Sequence, residues 1–525
     1  MSQLSQAAKL KEEGNALFVK KNYASAIVKY TKAIALDDKN AVLYANRSAC
    51  HHSLKRHLDS LGDARIATEL DPAYSKAWGR LASAYSMSLA NRNHIVGQQQ
   101  DSVNAYQRAL DTLPKDNLTP AEIKQKSQYE DGLKKAQELL NTPRRPMESN
   151  PLALKVDATL KVMPWDAAND IVPELAAQNL SDSSAWGIHS AYSEYKEGVD
   201  TMKNTRRAVQ RDGKMMVMVD SGALKCLTNA IIQDERVFHM DSSNWLQKFE
   251  DQVKLEVSFH QPWVNVGPDV IMREAPLRLQ NGGSWNRLRP SLAITIRLWI
   301  MRGSLGEKLK HDCAMKVEYL SRTLEILEWG RKTWSRVPKA NRGAIFEETF
   351  IHGVRNMYLS ALMERFQQSP SNEILEKLYE EAELLIKNVD NDTTTFSHPP
   401  PVMWSFFRNC SGNANASKGF YHSALARIEP DDEKQHFQLA GEFCVKAADG
   451  YATDDEKHTW YLHCALMYME AVGAPTPDSL DILLRIRESL PKMQRIWGRN
   501  PARNPERASL YAKDLELEAK LLQKV

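Results

Sequence analysis

A 34-residue recurrence near the N-terminus constrains the fold more than any other feature of this chain. Leu10, Tyr44 and Trp78 are spaced by 34, and Gly14, Ser48 and Ala82 keep the same interval. Tyr30 and Ala64, Ala33 and Ala67, and Asp38 and Pro72 repeat it. A period of this length marks stacked helical hairpins, in which each unit buries its apolar face only against its neighbours. In the first helix of each unit a large apolar residue is followed four later by a small one, which lets the two helices cross closely. A proline or an Asp-rich turn ends the second helix, because proline cannot continue the hydrogen-bond ladder. In the third unit Tyr106, Ala109 and Pro114 come 42 residues after their counterparts, so an insertion of 8 is expected within 88–100. Thr119-Pro120-Ala121-Glu122 then carries a helix-start signature. The helix that follows, over about 120–140, is expected to cap the array.

Stacked hairpins make a curved surface with the first helix of every unit on its concave side. Lys11 and Asn15 are four apart on one such helix and share a face. Lys76 and Arg80 repeat that spacing in the third unit, and Asn46 lies on the first helix of the middle unit. All five are expected to point into one groove. The lysines and the arginine supply charge-assisted donors, and the asparagines supply amides that bond carboxylate or peptide backbone. A chain terminus ending in aspartate presents two carboxylates close together, which this donor set suits.

The segments Leu10-Lys11-Glu12-Glu13-Gly14-Asn15, Leu43-Tyr44-Ala45-Asn46-Arg47-Ser48 and Tyr74-Ser75-Lys76-Ala77-Trp78-Gly79-Arg80 resemble the carboxylate-clamp tetratricopeptide-repeat (TPR) domains of co-chaperones. The likeness is to the small glutamine-rich and the chaperone-organising TPR proteins, over residues 5–140. It implies that Lys11, Asn15, Asn46, Lys76 and Arg80 grip the Glu-Glu-Val-Asp C-terminus of the 70- and 90-kilodalton heat-shock chaperones. By the same resemblance Phe18 and Ala49 line an apolar pocket beside the clamp. Ser60 and Ser102 stand where the family more usually has alanine, which leaves the curvature of the array open. Beyond residue 145 there is no glutamine-rich tail and no further clamp repeat.

The expected fold class is all-α: three hairpins with a capping helix over 5–140, a proline-rich linker at 141–151, and a mostly helical domain over 152–525. A subdivision near 282–290 is left open. A chain of 525 residues exceeds what one core usually holds. Its 42% hydrophobic and 26% charged residues are ordinary for a globular protein, and the net charge of +3 argues neither for nor against nucleic acid, since only clustered basic residues make a phosphate footprint. Six cysteines without a CxxC pair read as reduced thiols. No signal-peptide core is found at the N-terminus, and the most apolar stretch, 292–301, is too short for a bilayer and contains Arg297. A cytoplasmic location with a nuclear pool is expected.

Helical stripes are expected at 345–362 and 374–385, a helix starting at Thr476-Pro477-Asp478, a hairpin of 437–448 and 455–472 turning near Asp449-Gly450, and an amphipathic stretch over 506–525. Lys214 to Asp220 reads as either strand or helix. Prolines and Gly282-Gly283 break any long helix between 253 and 286, and 388–419, with Pro399-Pro400-Pro401, is expected to hold a long loop. No catalytic constellation stands out. His458 and His463 are five apart, Lys310-His311-Asp312-Cys313 has nothing to orient it, and Gly282-Gly283-Ser284 lacks phosphate-loop spacing. The expectation is a non-enzymatic chaperone adaptor with no cofactor and no metal, and with an unknown client or second protein on its C-terminal domain. An enzyme of unknown type in that domain, recruited to chaperones by the repeats, is the alternative. Neither nucleic acid nor a membrane is expected as a partner.

Overall fold

The computed structural model describes residues 3–90, 98–141, 163–204, 206–209, 215–218, 222–310, 312–391, 397–474, 476–498 and 505–523. Among the described residues the chain is all-α apart from one short hairpin. Its N-terminal helices are α1 (Gln3–Val19), α2 (Tyr23–Ile34), α3 (Ala41–Ser53), α4 (His57–Leu70), α5 (Ser75–Ala90), α6 (Gln98–Asp111) and α7 (Pro120–Asn141). Helices α8 (Pro164–Ala177) and α9 (Ala185–Lys203) lead into strands β1 (Arg206–Val209) and β2 (Met215–Met218), which pair antiparallel with Val209 opposite Met215. Then come α10 (Ala223–Gln233), α11 (Trp245–His260), α12 (Pro268–Gln280), α13 (Trp285–Lys310), α14 (Cys313–Thr333), α15 (Lys339–Arg342), α16 (Glu348–Gln368) and α17 (Asn372–Asp390). The last group is α18 (Pro400–Met403), α19 (Asn409–Ile428), α20 (Glu433–Asp449), α21 (Glu456–Val472), α22 (Thr476–Trp497) and α23 (Pro505–Leu522).

The chain divides into two compact units, 1–149 with 249–298, and 150–248 with 299–525. In the first, α1/α2, α3/α4 and α5/α6 form three hairpins, and α7 packs on α6. The crossing positions hold small residues, as their recurrence requires. A Cβ on Gly14 would lie 2.7 Å from the ring of buried Tyr30. At the second crossing Ser48 Oγ donates to the Ser60 carbonyl (2.8 Å) and Ser60 Oγ to the Ser48 carbonyl (3.2 Å). At the third, Ser86 and Ser102 share a hydroxyl bond of 2.8 Å, and Ser102 also donates to the Ala82 carbonyl. The serines therefore return their hydroxyls to the facing helix, which removes the penalty of burying them. Helix α7 starts as its signature requires: Glu122 N–H donates to Thr119 Oγ1 while Thr119 N–H donates to Glu122 Oε2. The insertion in the third repeat falls mostly outside the described residues, but α5 is 16 residues long against 13 for α3.

Residues 249–298, expected in the C-terminal domain, group instead with the repeats. Among the contacts that join the two segments is one to a buried arginine on α3. Arg47 donates to both oxygens of Asp63 at 2.8 and 2.7 Å and to Thr31 Oγ1 at 3.0 Å, and Asp269 at the start of α12 lies 3.7 Å away. Beside it, a Cβ on Gly62 of α4 would meet the Gly267 backbone at 3.0 Å. Val266, Val270 and Ile271 are buried around this approach. The linker expected at 141–151 lies outside the described residues from 142 on.

In the second unit successive helices pack on one another from α19 to α23, and α16 packs against α14, α17 and α19. The expected stripe at 374–385, the 437–472 hairpin and the helix from Thr476 form, and the stripe at 345–362 is one helix from Glu348 on, with Ile345 and Phe346 in a separate 3-10 turn before it. The loop expected within 388–419 does not form among the described residues. From 400 to 428 the chain is helical throughout, α18 passing through a π turn at Trp404–Arg408 into α19. Pro400 and Pro401 occupy the first helical turn, where no backbone N–H is needed, so they start this helix rather than break it. Trp404 and Phe407 are buried.

A buried charge cluster fixes the start of α21. Arg236 bonds Asp234 at 2.9 and 2.7 Å and Asp455 at 2.9 and 2.8 Å, and its guanidinium lies 4.3 Å from the Trp497 ring centroid. Asp455 also caps α21 by accepting from Lys457 N–H. Burial pushes the Asp455 carboxyl up, but Arg236 outweighs it and the net direction is down. Arg236→Met would leave two buried carboxylates without a counter-charge and is expected to cost about 3–5 kcal/mol, read as a lowered denaturation midpoint.

Between α19 and α20 the imidazoles of His422 and His436 face each other, Nδ1 to Nδ1 at 3.2 Å. Burial first, then the charges of His436 and Lys418, lower His422 to about 4. A histidine whose folded value lies below its unfolded one favours the neutral form, so it contributes stability above about pH 6.5 that is lost as pH falls towards 4. The thermal midpoint is expected to fall across that window in the natural protein and to fall less in His422→Phe.

Candidate peptide-binding groove

The crossing residues fix which way each first helix is turned. Glu12, Asn46 and Arg80 each stand two positions before a crossing residue, about 160° round the helix at ~100° per residue. They therefore face away from the second helices. Lys11 and Asn15 flank Glu12 on α1, and Lys76 lies in the first turn of α5, one turn before Arg80. Lys11, Asn15, Phe18 and Asn46 are half-buried, Ala49 is buried, and Lys76 and Arg80 are exposed.

Direct contact joins the first two repeats. Asn46 Nδ2 donates to Asn15 Oδ1 at 3.1 Å, and the same oxygen accepts from the buried Tyr30 hydroxyl at 2.7 Å. Asn15 Nδ2 donates to Glu12 Oε2 at 3.2 Å. Each amide nitrogen carries two hydrogens, so Asn15 keeps one beyond its bond to Glu12, while the Asn46 amide interacts with the Tyr30 hydroxyl as well. Burial pushes the Tyr30 hydroxyl up, so it remains a proton donor. Phe18 sits edge-on to Tyr23 at 5.4 Å, beside the network.

The cations are not equivalent. Lys11 Nζ lies 3.5 Å from Glu12 Oε1, whereas no described carboxylate lies within ion-pair distance of Lys76 or Arg80. Glu122 feels the charge of Lys76, but its lowered carboxyl is held first by its hydrogen bonds to Thr119. The field of Arg80 reaches Cys50 on α3 and Tyr129 on α7. Helix α7 closes that side tightly, since a Cβ on Gly79 would lie 2.3 Å from the Tyr129 ring. Sequence reasoning missed Glu12 and Tyr30 as parts of this network. Glu12 was legible in principle, standing 34 residues before Asn46 and 68 before Arg80.

The second unit holds a cleft of about 410 Å³ lined by Trp404, Arg408, Tyr451, His458, Arg485 and Lys492 among others. Three of its basic groups serve the end of α20: Arg408 donates to the Asp449 carbonyl (2.6 Å), His458 Nδ1 meets the Ala448 carbonyl (2.8 Å), and Arg485 meets the Asp449 carboxylate (2.5 Å). These are the contacts of a capped helix C-terminus. His463 is held separately, on Asp514 at 2.8 Å. The Cys313 thiol donates to Glu364, and burial together with that carboxylate pushes it up to about 11, the reverse of nucleophile activation. Glu194, Glu197 and Cys226 lie within 4.8 Å of one another, and burial first, then the two carboxylates, hold the thiol at about 12. His311 lies outside the described residues.

Residues of this chain are 36% identical over 137 positions to the small glutamine-rich tetratricopeptide repeat-containing protein 2 of Saccharomyces cerevisiae, covering 26% of this chain and 36% of that protein. They are 42% identical over 104 positions to the heat shock protein sti1 homolog of Schizosaccharomyces pombe, covering 20% of this chain and 16% of that one. Similarity to Hsp70-Hsp90 organizing protein 1 of Glycine max is 35% over 156 positions, covering 29% of this chain and 22% of that protein. The chain thus spans well under two thirds of the length of each. Among solved structures, the Sgt2 TPR domain from Aspergillus fumigatus is 28% identical, covering 25% of this chain and 82% of that one, with a TM-score of 0.21. No family model matches the chain. Its similarity to curated proteins is to TPR co-chaperones, and its repeats are TPR hairpins.

Tyr30→Phe removes the hydroxyl that fixes Asn15 and leaves its half-buried amide oxygen with the Asn46 bond alone. A loss of about 1 kcal/mol is expected in a urea melt.

Proposed function

We propose that the TPR groove of residues 5–140 docks the acidic C-terminus of a heat-shock chaperone of the 70- or 90-kilodalton class, and that the chain acts as a co-chaperone adaptor. The observation that carries this reading is the exposure of Lys76 and Arg80, without acidic partners among the described residues, on the face that also holds the Asn15–Asn46 amide pair. Cations left unpaired in a concave surface attract anions, and an arginine fork receives a carboxylate through two parallel bonds. The terminal carboxylate fits the amide pair with Lys11, and the side-chain carboxylate of a final aspartate fits Lys76 and Arg80. Phe18 and Ala49 give the preceding apolar side chain a surface to lie on. The relatives named above, heat-shock proteins and a chaperone organiser, support the same reading. The second unit is assigned the client or second protein. No helix among the described residues is long and apolar enough to cross a membrane.

Titration calorimetry with a peptide ending Glu-Glu-Val-Asp tests the reading. Arg80→Ala or Lys11→Ala is expected to weaken binding by about 1.5–3 kcal/mol, roughly 10- to 150-fold. Amidation of the peptide's terminal carboxylate is expected to weaken it similarly. Unchanged affinity in both substitutions and with the amidated peptide would remove the clamp.

A further inference from the structure

Glu12 is a carboxylate inside a site built for carboxylates. The repeat places it in the same layer as Asn46 and Arg80, which follow it at intervals of 34. Both of its oxygens are engaged by proposed clamp donors: Oε1 lies 3.5 Å from Lys11 Nζ, and Oε2 accepts from Asn15 Nδ2 at 3.2 Å. Its charge is also felt at the Tyr30 hydroxyl, which bonds the other end of the Asn15 amide. Neighbouring Glu13 points elsewhere, held by Lys29 of α2 at 2.7 Å.

We propose that Glu12 is an internal competitor, occupying the Lys11–Asn15 end of the groove until a partner's terminal carboxylate displaces it. The inference rests on the docking function proposed above and adds a regulator to that same site. Two consequences follow from the contacts. In the free protein Glu12 keeps the Lys11 ammonium and the Asn15 amide in place, so the donors are arranged before a ligand arrives. On binding, the ligand carboxylate takes over those donors and Glu12 must swing into solvent, which its 69% side-chain exposure permits. Because an exposed ion pair is weak, displacement costs little. Its effect is to set a threshold: a ligand that brings a single weak contact does not dislodge Glu12, whereas a terminal carboxylate backed by contacts to Lys76 and Arg80 does.

The test compares Glu12→Gln, Glu13→Gln and Lys11→Ala in the full chain by calorimetry with a peptide ending Glu-Glu-Val-Asp and with its C-terminally amidated form. Glu12→Gln is expected to tighten the free-acid peptide by about three- to five-fold and to leave the amidated peptide unchanged. Glu13→Gln removes the same charge from the same helix, and is expected to change neither. If Glu12→Gln binds no tighter than the natural protein, or if Glu13→Gln gains as much, internal competition is wrong and only net charge is at work. If the natural chain binds neither peptide, or Lys11→Ala binds as well as it does, the docking function itself fails, which is a separate result.

Discussion

The close crossing of the two helices in each hairpin is the constraint on which the N-terminal unit depends. Gly14 under the Tyr30 ring, Ser48 against Ser60, and Ala82 beneath Ser102 each bring two backbones together at a point where a larger side chain has no room. That contact fixes rotation about the helix axis as well as separation. Once 14, 48 and 82 must face the partner helix, 12, 46 and 80 must face away from it. The groove is the geometric remainder of the packing, and its chemistry is set by whatever residues stand there. A 34-residue period therefore carries information about the site as well as the fold.

This explains why the first unit was so readable. The small-residue recurrence, the Thr119–Glu122 box and the cation spacing are all local signals, and each survives into the structure. What the sequence hid is non-local. Arg47 occupies a buried face of α3 with only its charge to mark it as odd, and its partners, Asp63 and Asp269, are 16 and 222 positions away. Nothing in the spacing of 249–298 announces that it completes the repeats, because the complementary surface lies on Gly62 and Arg47. The serines at 60 and 102 looked like departures for the same reason. Each is explained by a carbonyl on another helix, at Ser48 and Ala82.

The second unit shows the opposite balance. Its helices were legible wherever an apolar stripe ran three or four turns, as over 348–368 and 372–390, and illegible where proline suggested a break. Pro399-Pro400-Pro401 marked a beginning rather than an interruption, and only the burial of Trp404 and Phe407 behind it reveals the difference. The five-residue apolar run 215–219 had no helical or strand period of its own. Its described part, Met215–Met218, is a strand because it pairs with Arg206–Val209, a partner no periodicity could name. No function could be read there because the notable polar groups, Arg236, His458 and Arg408, are each spent on helix ends and the charges beside them.

That thrift gives the groove its meaning. Four cations among the described residues that are buried or nearly so are surrounded with acid: Arg47 with Asp63, Arg236 with Asp234 and Asp455, Lys316 with Glu235 at 3.1 Å and Glu307 at 3.6 Å, Arg355 with Glu381 and Glu328. Burial demands it, since an unpaired charge taken out of water is destabilising by several kcal/mol. Lys76 and Arg80 are under no such demand, being exposed, and folding gains little from pairing them. An unpaired surface cation is ordinary when it stands alone. Here two stand one turn apart on α5, and on α1 and α3 an amide pair is held together by a buried tyrosine. The first repeat, by contrast, keeps its lysine beside a carboxylate of its own. Among the described residues the third repeat thus leaves its two cations open, while the first holds its lysine only lightly.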